Sequence, residues 1–318
     1  MAGRFNVVIP AYQAKETLGR CLKGLIDGGV DRQQIIVVDD GSPDESGQIA
    51  KAAGVTVIRN ETSLRPAKAR NRGVELCQEE IVVFVDADVV PHPEAAQRLV
   101  AAFDDPSISA VFGSYDDKPE APSVVSRYRN LLHFHVHQNT DPEAETFWTG
   151  LGAVRRNRFS EVGELDSDWE NIEDVEFGLR LRAAGDRIRL IPEAQGSHLK
   201  DWTLGSMFKT DLFGRAVPWT RLIQAGRMPP STLNGSMQHR LSALCVLGLL
   251  FAVFGALWAP MLLLLALIFV CLFIGINAKF LAVLYRAGGL RLAIGALPFH
   301  AIHYVAALLG YAKVRLGA

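Results

Sequence analysis

Ile81-Val82-Val83-Phe84-Val85-Asp86-Ala87-Asp88 is the stretch on which the fold turns. The apolar run from Ile81 to Val85 is too uniform for a solvated turn. It reads as a strand covered on both faces, as in a parallel sheet. Its aspartates then stand at the strand's carboxyl end, where open α/β sheets place their ligands. Asp86 and Asp88 are two apart and project to the same side while the chain stays extended. Clustered anions repel each other and need a cation. The simplest is divalent and oxygen-loving, Mg2+ or Mn2+, and such ions are commonly shared with substrate phosphates. The stretch therefore points to chemistry on a nucleotide diphosphate.

The same rhythm extends to either side. Val7-Val8-Ile9 reads as a strand, followed by a helix with Leu18, Cys21, Leu22 and Leu25 on one face. Ile35-Ile36-Val37-Val38 is the next strand, then a helix from about Glu45 to Ala53, a strand from Val55 to Ile58 and a helix from Ala67 to Cys77. This alternation predicts an α/β fold with a doubly wound, mostly parallel sheet and helices on both faces. Residues 104–145 are rich in Asp, Pro and Ser and resist assignment. A helix from about Asp174 to Ala184 and a strand at Ile188–Ile191 follow, then a Gly-Ser turn before His198.

Charge is balanced, with 33 Lys+Arg against 34 Asp+Glu in 318 residues, which argues against a nucleic-acid binder. Composition changes along the chain. From Leu241 to Ile276 no residue is charged, a run long enough to cross a bilayer twice. Before it, Leu204, Met207, Phe208, Leu212, Phe213, Trp219 and Leu222 alternate with Lys209, Arg215, Arg221 and Arg227, the composition of helices lying at a membrane surface. A hairpin of spans is expected at Leu241–Trp258 and Met261–Tyr285, broken at Pro260. Arg240, Arg286 and Arg291 flank it and place both ends in the cytosol by the positive-inside rule. Leu292–Tyr311 reads either as a third span, the preferred reading from its length, or as a re-entrant or interfacial segment. Arg4 and Asn6 precede only a short apolar run, so no signal peptide is read. The expected organisation is a cytosolic catalytic domain at 1–202, membrane-surface helices at 203–240 and a multi-pass membrane region at 241–318. The four cysteines show no metal-ligand spacing.

Further strand tips share the edge of Asp86 and Asp88. The first strand ends at Pro10-Ala11-Tyr12 and the second at Asp39-Asp40-Gly41-Ser42. A carboxylate there can accept a hydrogen bond from the imide N–H of a base such as uracil. The alternative is that Asp39 or Asp40 caps the next helix. Glu173-Asp174-Val175-Glu176 opens a helix. An acidic first turn complements the helix dipole, and the functional alternative is a carboxylate that takes a proton from an attacking hydroxyl. Of His133, His135 and His137, only the first and last share a helical face, and no carboxylate supports them at fixed spacing. Surface or headgroup contact is the preferred reading over a metal site.

Val7–Tyr12, Val37–Ser42, Ala69-Arg70-Asn71-Arg72-Gly73 and Asp86-Ala87-Asp88 occur in this order and spacing. Together they resemble the nucleotide-binding half of family 2 glycosyltransferases, whose fold is the Rossmann-like GT-A fold, over about residues 5–220. The resemblance implies that Pro10, Ala11, Tyr12, Asp40 and Arg70 frame the nucleobase. Asp86 would face ribose and metal, Asp88 would hold Mn2+ or Mg2+, and His198 would join that metal shell. It further implies that Asp174 is the base, with Glu173 as its neighbour. Gly150 and Gly152 would lie in a loop beneath the acceptor, and Trp148 would either stack on a sugar or pack. The glycine usual before Ala-Arg-Asn is replaced here by Arg65-Pro66. Arg215–Trp219 matches poorly the Gln-x-x-Arg-Trp of processive synthases, which argues against polymer extrusion.

The implied activity is a membrane-anchored, metal-dependent, inverting transfer from a nucleotide sugar, with UDP the expected nucleotide, to a lipid, giving a glycolipid. A lipid hydroxyl and a polyprenyl phosphate are both open as acceptors. A phosphate, with a second pKa of about 6, has little need for a base, so a basic Asp174 favours the hydroxyl. The rival is a non-catalytic membrane protein that binds nucleotide sugars, against which the intact Asp88 and Asp174 weigh.

Overall fold

The computed structural model describes residues 5–228 and 237–317. Arg4, the part of the expected surface stretch at 229–236, and Ala318 lie outside the described residues. In chain order the elements are β1 (Phe5–Ala11), α1 (Leu18–Asp27), β2 (Ile35–Asp39), α2 (Ser46–Ala52), β3 (Thr56–Arg59), α3 (Arg65–Glu75), β4 (Ile81–Val85), β5 (Val89–Pro91), α4 (Ala95–Ala101), β6 (Ile108–Tyr115) and α5 (Val124–Gln138). Then come β7 (Glu143–Ala144), β8 (Leu151–Arg155), α6 (Arg156–Glu161), α7 (Glu173–Ala183), β9 (Arg187–His198), α8 (Leu204–Lys209), α9 (Val217–Gln224), α10 (Met237–Gly255), α11 (Leu262–Ile276) and α12 (Ala278–Arg315).

The strands form a nine-stranded sheet in the order β3-β2-β1-β4-β8-β6-β9-β5, with β7 beside β9. The first four strands of that order are parallel, and the remainder is mixed: β4–β8, β6–β8 and β5–β9 are antiparallel and β6–β9 is parallel. Burial on both faces is what an unbroken apolar strand predicts. Val83 and Val85 enter one hydrophobic core with Val7, Ile9 and Val37, while Val82 and Phe84 enter the other with Val8 and Ile36. Each such side chain contributes about 1.5–3 kcal/mol on burial. The expected face of α1, Leu18, Cys21, Leu22 and Leu25, is buried.

The chain divides into two compact units. One holds the described residues up to Ala121 together with Val136–Lys200, and therefore the whole sheet. The other holds Pro122–His135 and the described residues from Asp201 onward. The first part of α5 thus groups with the C-terminal helices, which composition did not show.

In the C-terminal unit, α10 and α12 are long and apolar enough to cross a membrane. The expected span Met261–Tyr285 is not one helix. It consists of the 15-residue α11 and the start of α12, separated at Asn277. The expected segment Leu292–Tyr311 is the second half of α12, which breaks at Gly288 and Gly289; Gly289 has φ +67°, open to glycine at little cost. Close packing of α10 on α11 uses Gly248, where a Cβ would overlap the Phe269 ring. A buried polar chain ties the unit together. Asn277 Nδ2 donates to Ser242 Oγ (3.0 Å), Asn277 Oδ1 meets His300 Nε2 (3.0 Å), and His300 Nδ1 meets the Tyr128 hydroxyl (3.1 Å). The histidines of α5 go separate ways. His133 Nε2 meets Arg215 (2.8 Å), His135 packs on Phe280, and His137 packs on Phe112 and Trp148.

Gly113 on β6 is fixed by a close approach, since a Cβ there would overlap the Ala194 carbonyl oxygen of β9. Gly113→Ala should lower stability by about 1–3 kcal/mol, the usual cost of overpacking, read as a reduced unfolding midpoint. An unchanged midpoint would contradict this packing.

Candidate active site

Strand register brings the tips together. Ala11 pairs with Asp39 across β1–β2, and Val8 pairs with Phe84 across β1–β4, so all three strands end on one edge. Pro10 and Ala11 are strand residues there, and Tyr12 is exposed just beyond them.

The carboxylates of β2 are engaged by the protein itself. Asp39 Oδ1 accepts from the Ser42 N–H (2.9 Å), and Oδ2 pairs with Arg59. Asp40 accepts from Asn60 Nδ2 (2.6 Å), the Ser63 hydroxyl (2.8 Å) and the N–H groups of Leu64 (2.9 Å) and Arg65 (3.0 Å). This modifies the expectation that Asp40 and Asp39 present their carboxylates to a nucleobase, because here they organise the loop before α3 and the turn after β2. The loop needs that support. Arg65 has φ +72°, the left-handed conformation that glycine favours. The backbone shape that a glycine would give is thus adopted by an arginine.

Arg70 differs from expectation in the same way. It is 5 % exposed, and its head lies between two carboxylates: Nη2 donates to Asp86 Oδ1 (2.6 Å) and Nη1 to Glu173 Oε1 (2.8 Å). It joins the β4 tip to the start of α7 instead of facing a base. Burial alone would weaken its charge. Asp86, then Glu173 and Asp174, more than offset that and push its pKa up.

Asn171, with φ +69°, turns the chain into α7, a conformation that asparagine tolerates better than most residues. Asp174 lies in the first turn of α7. Its Oδ2 accepts from the Thr149 N–H (3.1 Å) and hydroxyl (3.3 Å), and its Oδ1 from the Val175 N–H (2.8 Å). Burial raises the Asp174 pKa, opposed by the Thr149 N–H and by Arg70. Burial likewise raises that of Glu173, with Arg70 opposing. Thr149 carried no sequence signal; only its place before the Gly-Leu-Gly run singles it out.

Gly150 and Gly152 accommodate the protein itself. A Cβ at 150 would overlap the Trp148 indole, and one at 152 would overlap the Trp148 carbonyl. The expected access of backbone to a sugar gives way to tight local packing. Trp148 packs as well, edge-on to Tyr115 with ring centroids 4.9 Å apart.

Asp88 and His198 meet through β5 and β9. Val89 pairs with His198, and the Leu199 N–H donates to the Asp88 carbonyl (2.8 Å). β9 runs unbroken through His198, so the Gly-Ser pair expected as a turn lies within a strand. His198 Nε2 is 3.5 Å from Asp88 Oδ2. Burial opposes ionisation of Asp88, but the His198 hydrogen bond and the nearby charges of His198 and Lys200 outweigh it, so its pKa is lowered. A carboxylate oxygen and an imidazole nitrogen aimed at one point suit Mn2+. Among the described residues no group of three or more His, Cys, Asp or Glu converges as a metal cluster. The pair therefore fits part of a shell that phosphate oxygens or water would complete. Asp86, the other expected ligand, directs Oδ1 to Arg70.

Arg70→Met should leave Asp86 and Glu173 without their cation and cost about 3–5 kcal/mol of stability, measured by denaturant unfolding. A loss below 1 kcal/mol would show that Arg70 does not hold the two elements together.

Comparison with known proteins agrees with this architecture. The glycosyl transferase family 2 profile matches residues 6–163. A pre-mycofactocin glycosyltransferase of Mycobacterium tuberculosis is 31% identical over 225 residues, covering 64% of this chain and 45% of that protein. The chain thus spans about half the length of that relative. Uncharacterized protein MJ1222 of Methanocaldococcus jannaschii is 35% identical over 201 residues, covering 58% of this chain and 79% of that one. The mannosyltransferase PcManGT of Pyrobaculum calidifontis, solved with GDP-Man and Mn2+, superposes with a TM-score of 0.63 at 17% identity, covering 100% of this chain and 88% of that chain, and so shares the GT-A fold. With its parallel strand tips, acidic edge and matching profile, the chain belongs to glycosyl transferase family 2.

Proposed function

We propose that this protein is a membrane-anchored glycosyltransferase that moves a sugar from a nucleoside-diphosphate sugar to a lipid hydroxyl with inversion at the anomeric carbon. The observation that carries the reading is the combination of Asp174, half-buried in the first turn of α7 and held by Thr149, with a separate Asp88–His198 pair where β5 meets β9. One site has a carboxylate suited to proton transfer and the other has ligands suited to a divalent ion. A divalent cation held by Asp88 and His198 would neutralise charge on the departing diphosphate. The P. calidifontis enzyme, solved with GDP-Man and Mn2+, supports that expectation.

Asp174 takes the proton of the acceptor hydroxyl as its oxygen bonds to the anomeric carbon, and the sugar–diphosphate C–O bond breaks from the opposite face. The products are the glycolipid, the nucleoside diphosphate and protonated Asp174. Arg70 keeps Asp86 and Glu173 paired beside this reaction, so the remaining charge of the cluster is fixed in place. Support for the membrane comes from α10 and α12, and from the outward Phe251, Phe254, Leu264 and Met261, each more than half exposed. UDP is the expected nucleotide, with GDP the alternative raised by the P. calidifontis complex.

Purified protein in lipid should transfer sugar from at least one donor in a panel of UDP and GDP sugars, in a Mn2+- or Mg2+-dependent manner. Neither transfer nor donor hydrolysis across the panel would refute the proposal. Asp88→Ala should abolish metal activation. Asp174→Asn should cut kcat on the order of 10²–10⁴-fold while donor binding persists; full transfer to polyprenyl phosphate by this variant would assign the phosphate acceptor instead.

The pH profile tests the base. Because burial raises the Asp174 pKa, the acid limb of kcat should lie above the ordinary aspartate value of about 3.9, with activity rising as Asp174 ionises. Thr149→Val removes a hydroxyl donor to the anion and should move this limb to still higher pH. A limb that stays in place would separate Thr149 from the titrating group.

A further inference from the structure

We propose that Tyr115 is a positioning residue: its ring holds the His198 imidazole in the orientation a divalent cation requires, and through Trp148 it links that orientation to the loop presenting Asp174. This rests on the metal role proposed for His198. Tyr115 ends β6 and is 6% exposed. Its ring lies face to face with the imidazole, with centroids 4.3 Å apart and planes 6° apart. An imidazole binds a metal only when its nitrogen lone pair, which lies in the ring plane, points at the ion. A flat neighbour on the ring face blocks rotation about the Cβ–Cγ bond and leaves the ring edge clear. Here that edge carries Nε2 toward Asp88 Oδ2, 3.5 Å away.

The other face of the strand is held independently. Successive residues of a strand point to opposite sides, so Ser197 faces away from His198. Its hydroxyl donates to Asp116, and His92 Nε2 lies 2.9 Å from that carboxylate and 3.2 Å from the Ser197 hydroxyl. Tyr115 at the end of β6 and Asp116 just beyond it thus grip consecutive residues of β9. Tyr115 also meets the Trp148 ring edge to face, 4.9 Å between centroids at 89°. The next residue, Thr149, donates its N–H to Asp174 at 3.1 Å. One aromatic ring therefore touches both the strand of the metal ligand and the loop of the base.

The test is Mn2+ binding to the full chain in detergent, read from the EPR signal of free Mn2+ with UDP and, separately, with GDP. Wild type is compared with His198→Ala, Tyr115→Phe and Tyr115→Met, with circular dichroism to verify folding. His198→Ala should weaken Mn2+ binding by about tenfold or more. Tyr115→Met, of similar length but without a flat face, should weaken it on the order of three- to tenfold. Tyr115→Phe keeps the stack and should bind as wild type does. Wild-type affinity in Tyr115→Met alongside weakened His198→Ala overturns the role of Tyr115 and leaves the metal site standing. Unchanged affinity in His198→Ala overturns the metal role and this inference with it. If Tyr115→Met does not fold, Tyr115→Leu takes its place, weakened binding supporting the stack and wild-type affinity overturning it; loss of affinity in Tyr115→Phe overturns it by assigning the effect to the hydroxyl.

Discussion

Arg70 is the cation that lets an acidic edge exist in a folded protein. Asp86, Asp88, Glu173 and Asp174 all gather at the carboxyl end of the parallel strands, and carboxylates drawn together out of water repel strongly. Arg70 answers this from the buried side of the site, with one nitrogen on Asp86 and the other on Glu173. The contact with Glu173 spans 103 positions of sequence, so it also fixes where α7 begins relative to β4. The planar fork of arginine reaches two carboxylates in fixed directions, which the point charge of lysine cannot reproduce.

With Asp86 and Glu173 bridged by Arg70, the remaining carboxylates diverge in character. Asp88 has the His198 imidazole beside it and Lys200 nearby, and its pKa falls. Asp174 is half-buried among hydrogen-bond donors, and desolvation raises its pKa. Environments that push two like groups in opposite directions are what separate a permanent anion from a proton acceptor. The separation depends on distinct supports: β5–β9 pairing brings Asp88 to His198, while the Thr149 loop and the first turn of α7 hold Asp174.

Much of this was legible in the sequence because local pattern encodes it. Runs of β-branched residues gave β1, β2 and β4, and parallel pairing then forced Tyr12, Asp40 and Asp86 onto one edge. The roles of the side chains at that edge were less legible, since their partners lie far away in sequence. Nothing local in Arg70 states that it faces Glu173. Gly150 and Gly152 looked like room for a sugar because a missing Cβ is the same signal whether ligand or Trp148 fills the space. The Gly-Ser pair before His198 looked like a turn, yet sheet pairing on both sides of β9 overrode local preference. In the C-terminal unit, composition located the apolar helices. It could not show the break at Asn277, whose side chain joins a tertiary polar chain to Ser242 and His300.

Asp40 shows how a motif can serve recognition indirectly. Its carboxylate oxygens accept from the 60–65 loop, including the main-chain N–H groups of Leu64 and Arg65. Withdrawing the carboxylate to bond a ligand would leave the buried Asn60 amide without this acceptor, at about 1–3 kcal/mol, and would loosen the loop that holds Arg65 in its left-handed conformation. A ligand at this tip is therefore met more cheaply by surfaces already turned outward. Tyr12, 50% exposed at the end of β1, offers an aromatic face without breaking anything. The aspartate shapes the loop, and under the proposed function the loop and the ring would present the contact. The motif that makes the strand tip recognisable in sequence is thus bound first to the architecture that any recognition there requires.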